Sequence, residues 1–334
     1  MSLFSKDPLQ IIVFNSYGSD THFYVRGRAL QDENINLEKN NIFSLFVNTW
    51  KRFESDEVRN TALTIQLPNN HKIETKTDNK GYFEVSETLN NLTSLTDTEG
   101  WLNFEISFTD TNINRKITKN NRFLGKMLIP KLTVDYGIIS DIDDTILHTG
   151  VISRMKWRVL INTFFVSPLK RKALVGAAEF YNLLHLGKSG KNANPLFYVS
   201  HSPWNLYRYL DFFLEKNNFT EGAVLLRTAG SLFKKKTIEE KPQKQNEIRN
   251  ILNTYNDLKF ILIGDAGEHD ADIYMEITKN YPNKIKAIYL RSVLHSKKME
   301  RIKLLIENYN DTEFFIVDSS KEAIEHAKKH HFIA

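Results

Sequence analysis

Asp141, Asp143 and Asp144 crowd the point where an apolar run, Tyr136-Gly137-Ile138-Ile139-Ser140, comes to an end. The run reads as a buried strand. Open α/β sheets bind ligands beyond the carboxyl ends of their strands. Carboxylates this close repel, and a strand exit offers few ways to relieve that. A hard divalent cation is one, because Mg²⁺ prefers carboxylate oxygens and keeps waters that a phosphate can displace. Asp141 and Asp143, two apart on an extended exit, share a face and can address one phosphate. An acidic turn that caps the next segment is the competing reading.

Three further points could meet the same edge. Ser200-His201-Ser202-Pro203 follows the apolar run Leu196-Phe197-Tyr198-Val199. Ser202 suits a helix N-cap and Pro203 a first helical position, with Leu206, Leu210, Phe213 and Leu214 as the stripe of the helix they would open. The Ser200 hydroxyl could then bond a phosphate at a helix N-terminus. Lys244 stands one turn before Ile248 on the stripe completed by Ile251, Leu252 and Tyr255. A cation there suits an acidic cluster; a snorkelling lysine is the alternative, and Lys241 lies near the same face. Gly264-Asp265-Ala266-Gly267-Glu268-His269-Asp270 follows the run Phe260-Ile261-Leu262-Ile263, again with carboxylates at a strand end. His269 reads as a polar rim residue, and the ten histidines show no zinc-type pairing such as His-Glu-x-x-His.

Such a set suits phosphate-ester hydrolysis, whose slowness demands accelerations of up to ~10²¹-fold. A carboxylate nucleophile divides the reaction into two steps. A second carboxyl protonates the leaving oxygen and then activates water. A lysine and Mg²⁺ neutralise the phosphoryl oxygens.

The elements that must position these residues change character along the chain. Up to about Pro130 the runs Ile11–Phe14, His22–Arg28, Leu63–Leu67 and Trp101–Ile106 read as strands. Asp78-Asn79-Lys80-Gly81 reads as a hairpin turn, and Ile42, Phe46, Trp50 and Phe53 share a helical face. A β-rich, sandwich-like domain over 1–132 is expected. Beyond it, apolar runs at 196–199, 223–226, 260–263, 285–290 and 314–317 alternate with helical patterns near 203–216, 244–256, 269–280, 297–309 and 320–330. That alternation predicts a parallel sheet flanked by helices over 133–334. The 334 residues suit two domains; 41% are hydrophobic, 25% charged and none is cysteine. Disulfides, thiol catalysis and cysteine metal sites are therefore excluded. No run approaches the roughly 18 apolar residues of a spanning helix, and no signal peptide is recognisable. The net charge of +5 favours anionic partners.

The order Asp-x-Asp-x-Thr, Ser, Lys, Gly-Asp-x₄-Asp resembles the haloacid dehalogenase superfamily. Within it, the segments Gly137–Ile146, Asn194–Leu206, Lys244, Phe260–Asp270 and Ala287–Arg291 are similar to the phosphatidate phosphatase family typified by the fungal actin-patch protein. Ser202-Pro203-Trp204-Asn205-Leu206 is the most specific of them. The resemblance implies a Mg²⁺-dependent hydrolase that turns phosphatidate into diacylglycerol through an aspartyl-phosphate. It implies Asp141 as nucleophile, Asp143 as general acid/base, and Ser200 and Lys244 as phosphate binders. Thr145 would position the first loop beside the phosphate. Asp265 and Asp270, with Asp141 and Asp143, would form the metal site. The chain departs from the family at Ala266, where serine is usual, and at Thr228, where aspartate is frequent.

Residues 147–194 would form a small helical cap insert. Its Trp157, Phe164 and Phe165 lie among Arg154, Lys156, Arg158 and Lys170-Arg171-Lys172. That mixture suits a lipid phosphate at a membrane surface, or else a helix packed on the sheet. A cytoplasmic protein, peripheral at a membrane and without nucleic-acid partners, is expected. Two other functions compete: a phosphatase of a soluble metabolite, and a phosphatidate-binding module without turnover.

Overall fold

The computed structural model describes residues 8–31, 57–110, 115–142, 175–227, 243–266, 269–293, 296–307, 309 and 312–334. The expected helix around Ile42–Phe53 lies outside them. The chain divides into two compact units, Met1–Lys131 and Leu132–Ala334.

The first unit contains β1 (Leu9–Phe14), β2 (Ser16–Tyr17), β3 (His22–Gln31), β4 (Ala62–Gln66), β5 (Lys72–Lys76), β6 (Tyr82–Thr88), β7 (Trp101–Phe108) and β8 (Phe123–Leu128). They form two sheets, ordered β1-β3-β6 and β2-β8-β7-β4-β5. Every pairing is antiparallel except β2 with β8. Period-two burial explains the arrangement: Leu63 and Ile65 of β4 are buried while Thr64 between them is not. Both sheets supply one apolar core, where Phe23 of β3 meets Phe104 of β7 edge-on at 5.3 Å. The turn at Asp78–Gly81 forms, with Asp78 Oδ1 accepting from the backbone N–H of Lys80 and of Tyr82. It is not a hairpin turn, however. β5 and β6 on either side of it belong to different sheets, so the turn carries the chain from one sheet to the other.

The second unit is α/β. It runs β9 (Gly137–Asp141), α1 (Ala177–Leu186), β10 (Leu196–Pro203), α2 (Tyr207–Lys216), β11 (Ala223–Arg227), α3 (Gln243–Thr254), β12 (Phe260–Asp265), α4 (Asp270–Asn280), β13 (Ile285–Arg291), α5 (Ser296–Glu307), β14 (Phe314–Val317) and α6 (Ser320–Lys329). The strands form one parallel sheet in the order β11-β10-β9-β12-β13-β14. β9 and β12 are buried along their whole length, as strands covered on both faces must be. The chain winds outward from β9 to β11, then returns to β12 and winds the other way. The switch point between β9 and β12 is where such sheets open a crevice for ligands.

Consecutive residues of a strand face opposite sides. At the end of β9, Ser140 bonds the hydroxyl of Tyr181 on α1, while Asp141 meets Lys244 on α3. Thus α1 and α3 cover opposite faces of the sheet. Phe180, Tyr181 and Leu184 of α1 are buried, and Tyr181 stacks on Tyr198 of β10 at 6.3 Å. Residues 177–186 are thus a core layer of the domain and not part of a cap. Of the expected insert, residues 147–174 lie outside the described residues, Lys170, Arg171 and Lys172 among them. Among the described residues, no helix is long and apolar enough to cross a membrane.

Candidate active site

Two acidic strand ends meet at the switch point. Asp141 ends β9, Asp265 ends β12, and Asp270 opens α4 just beyond; all three are buried. One oxygen from each lies within 4.8 Å of the others. Lys244, on the first turn of α3, enters this cluster with no side-chain exposure. Its Nζ is 2.8 Å from Asp141 Oδ1, and it also donates to Asp270 Oδ1. The other oxygen of Asp270 accepts the backbone N–H of Asp265 at 3.3 Å. Asp270 therefore ties the lysine to the turn after β12. Gly264 permits this approach: a Cβ there would sit 2.4 Å from Asp270 Oδ2.

Burial alone would push the Lys244 ammonium down. Asp141 and Asp270 outweigh it and hold the group well above its ordinary value. The lysine is a fixed cation. Tyr274, one turn along α4 from Asp270, donates its hydroxyl to the Ile263 carbonyl at 2.8 Å. Burial, then Asp270, push its phenol up, so it stays neutral beside the carboxylates. Burial does the same to Tyr181, offset only in part by its Ser140 bond.

Among the described residues, three carboxylates meet one ammonium in a dry place. All the donors on offer are oxygens, and a hard divalent cation fits that set.

Ser200 is buried on β10, one residue past Val199, which is in register with Asp141. Its Oγ accepts the Ser202 backbone N–H at 2.8 Å. The expected helix start at Ser202-Pro203 does not occur. β10 continues to Pro203 through an irregularity after Val199, and a 3₁₀ turn, Trp204–Leu206, then intervenes. The cap of α2 is Leu206, without a side-chain cap bond. Ser202 is thus a buried strand residue rather than a cap.

Asp143, Asp144, Thr145 and Lys241 lie outside the described residues. His269 sits on the rim, with its side chain 78% exposed and Nδ1 3.8 Å from Asp272. The sequence did not single out Tyr181 or Tyr274. Each sits at helical spacing among apolar residues, the pattern of an ordinary core face.

The family match falls on this unit. A family model described as the catalytic domain of phosphatidate phosphatase APP1 matches residues 136–292. Phosphatidate phosphatase APP1 of Saccharomyces cerevisiae is 31% identical over 247 residues, 73% of this chain and 40% of that protein. An uncharacterized protein of Schizosaccharomyces pombe is 30% identical over 158 residues, 47% of this chain and 25% of that protein. The aligned part therefore spans less than half the length of either relative. A ferredoxin-NADP⁺ reductase from Plasmodium falciparum aligns over 92% of this chain and 95% of its own. Its identity is 10% and its TM-score 0.20, too low to bear on the fold. The matched span holds Asp141, Ser200, Lys244, Asp265 and Asp270, so the candidate site lies within the part of the chain that is similar to the phosphatidate phosphatase APP1 catalytic domain.

Proposed function

We propose that the chain is a haloacid dehalogenase-type phosphatase that hydrolyses phosphatidate to diacylglycerol and phosphate with Mg²⁺. The observation that carries this reading is the buried contact of Lys244 with Asp141, set beside Asp265 and Asp270 at the switch point of the sheet. The substrate class comes from the family match.

Asp141 is the nucleophile. Its carboxylate oxygen attacks phosphorus, and the bond to the diacylglycerol oxygen breaks. That oxygen leaves with a proton from a second carboxyl, a role we assign to Asp143. The same carboxyl then takes a proton from water, which attacks the aspartyl-phosphate and releases phosphate with Asp141 restored. Lys244 orients the nucleophile and offsets charge on the phosphoryl oxygens. Ser200 and Thr145 complete the phosphate contacts. Asp141, Asp143, Asp265 and Asp270 would hold Mg²⁺, which when bound would add charge stabilisation at those oxygens.

Phosphate release tests the reading, with phosphatidate in mixed micelles set against a panel of soluble phosphate esters. Higher kcat/KM on phosphatidate is expected. A soluble ester turned over faster would reassign the substrate, and no turnover of any ester would leave a binding module.

A further inference from the structure

A second group of ligating side chains lies at the far edge of the parallel sheet, apart from the strand-end carboxylates. His326 and His330 are four residues apart at the end of α6. The His330 backbone N–H donates to the His326 carbonyl at 3.0 Å, so the last turn keeps both on one face. Glu313 immediately precedes β14, the edge strand. Its Oε2 is 3.3 Å from His330 Nδ1. One ligand-type atom from each of the three lies within 4.8 Å of the others.

Stacking and one ion pair would account for part of this, since the two imidazoles lie 4.1 Å apart. Two features go further. The Tyr289 hydroxyl is 2.9 Å from His326 Nδ1. Such a partner on one ring nitrogen fixes the tautomer and turns the other nitrogen toward a metal. That other nitrogen, Nε2, is buried and has no hydrogen-bond partner among the described residues. In the tautomer with Nδ1 protonated, that N–H donates to the Tyr289 oxygen and the Nε2 lone pair is open to an ion.

We propose that Glu313, His326 and His330 bind a divalent ion of the zinc class, with Tyr289 holding His326 in place. Two imidazoles and one carboxylate suit Zn²⁺ better than Mg²⁺, which prefers oxygen ligands in an octahedron. The 3.3 Å between His330 and Glu313 matches the edge of a tetrahedron around an ion ~2.0–2.1 Å from each ligand. Three protein ligands leave the fourth position to water. The ion would pin the end of α6 to the start of the edge strand.

The test titrates Zn²⁺ into the full chain against a chromophoric chelator, with millimolar Mg²⁺ present. One zinc equivalent is expected to disappear in His330→Ala. Tyr289→Phe, which keeps the ring, is expected to bind that equivalent roughly 10-fold more weakly. The equivalent should persist in Asp265→Asn. Circular dichroism and unchanged phosphate release by His330→Ala check that the variant folds. Zinc binding that is absent from the wild type, or equal in the wild type and His330→Ala, would overturn the inference. So would an equivalent lost with Asp265→Asn and retained in His330→Ala.

Discussion

Lys244 meets Asp141 at 2.8 Å with neither side chain exposed. The contact joins the first turn of α3 to the end of β9 and is part of the core as well as of the site. Removing the cation would leave Asp141 and Asp270 buried side by side without it. Breaking a buried pair in this way costs about 3–5 kcal/mol. Lys244→Met is therefore expected to lower the denaturation midpoint strongly and to abolish phosphate release. An unchanged midpoint in urea would contradict the core role.

Gly264→Ala tests the close approach of Asp270. The added methyl would start 2.4 Å from Asp270 Oδ2, so the carboxylate and the turn must shift. Overpacking of this kind costs about 1–3 kcal/mol. A displacement of about 1 Å in a site can cost on the order of 10²-fold in rate. A folded variant with a kcat reduced to that degree is expected; wild-type kcat would show that Asp270 is not held this way.

Metal removal should separate a charge-neutralising ion from a dispensable one. Exhaustive chelation is expected to stop phosphate release, and Mg²⁺ to restore it. Ca²⁺ should not, because it favours more ligands at longer distances. Activity that survives chelation would remove the metal from the account.

A pH dependence of stability should arise at the sheet edge in chelated protein. Burial, then His330 and Lys329, push His326 down to about 4. Tyr289 and Glu313 also face this pair of histidines. The unfolded chain, with a histidine near 6.5, takes up the proton first. Stability is then lost progressively as pH falls from about 6.5 to about 4. His326→Gln, which can still bond Tyr289, should flatten that part of the curve in urea titrations at fixed pH. A slope unchanged by the substitution would refute the assignment.

The strand ends were legible because buried parallel strands read as unbroken apolar runs, as Phe260–Ile263 does. Lys244 was legible because it continues the stripe of Ile248, Ile251 and Leu252, all buried. The start of α2 was misread: Ser202-Pro203 has the chemistry of a helix entry, but the pairing of β10 holds it in the sheet. Tertiary pairing overrode a local signal there. Residues 177–186 fall within the expected cap insert between the first two motifs, and only the packing of Tyr181 on Tyr198 reveals that they cover the sheet. The strand order, which brings Asp141 and Asp265 together, has no local signature.

The most direct test of the central claim is to trap the phosphoryl group. The enzyme would be mixed with ³²P-labelled phosphatidate and Mg²⁺, quenched in acid within one turnover and digested. The account predicts label on the peptide containing Asp141, and neither label nor turnover in Asp141→Asn, with activity lost by on the order of 10³-fold or more. Label on another residue, or turnover by Asp141→Asn above a tenth of wild type, would contradict it.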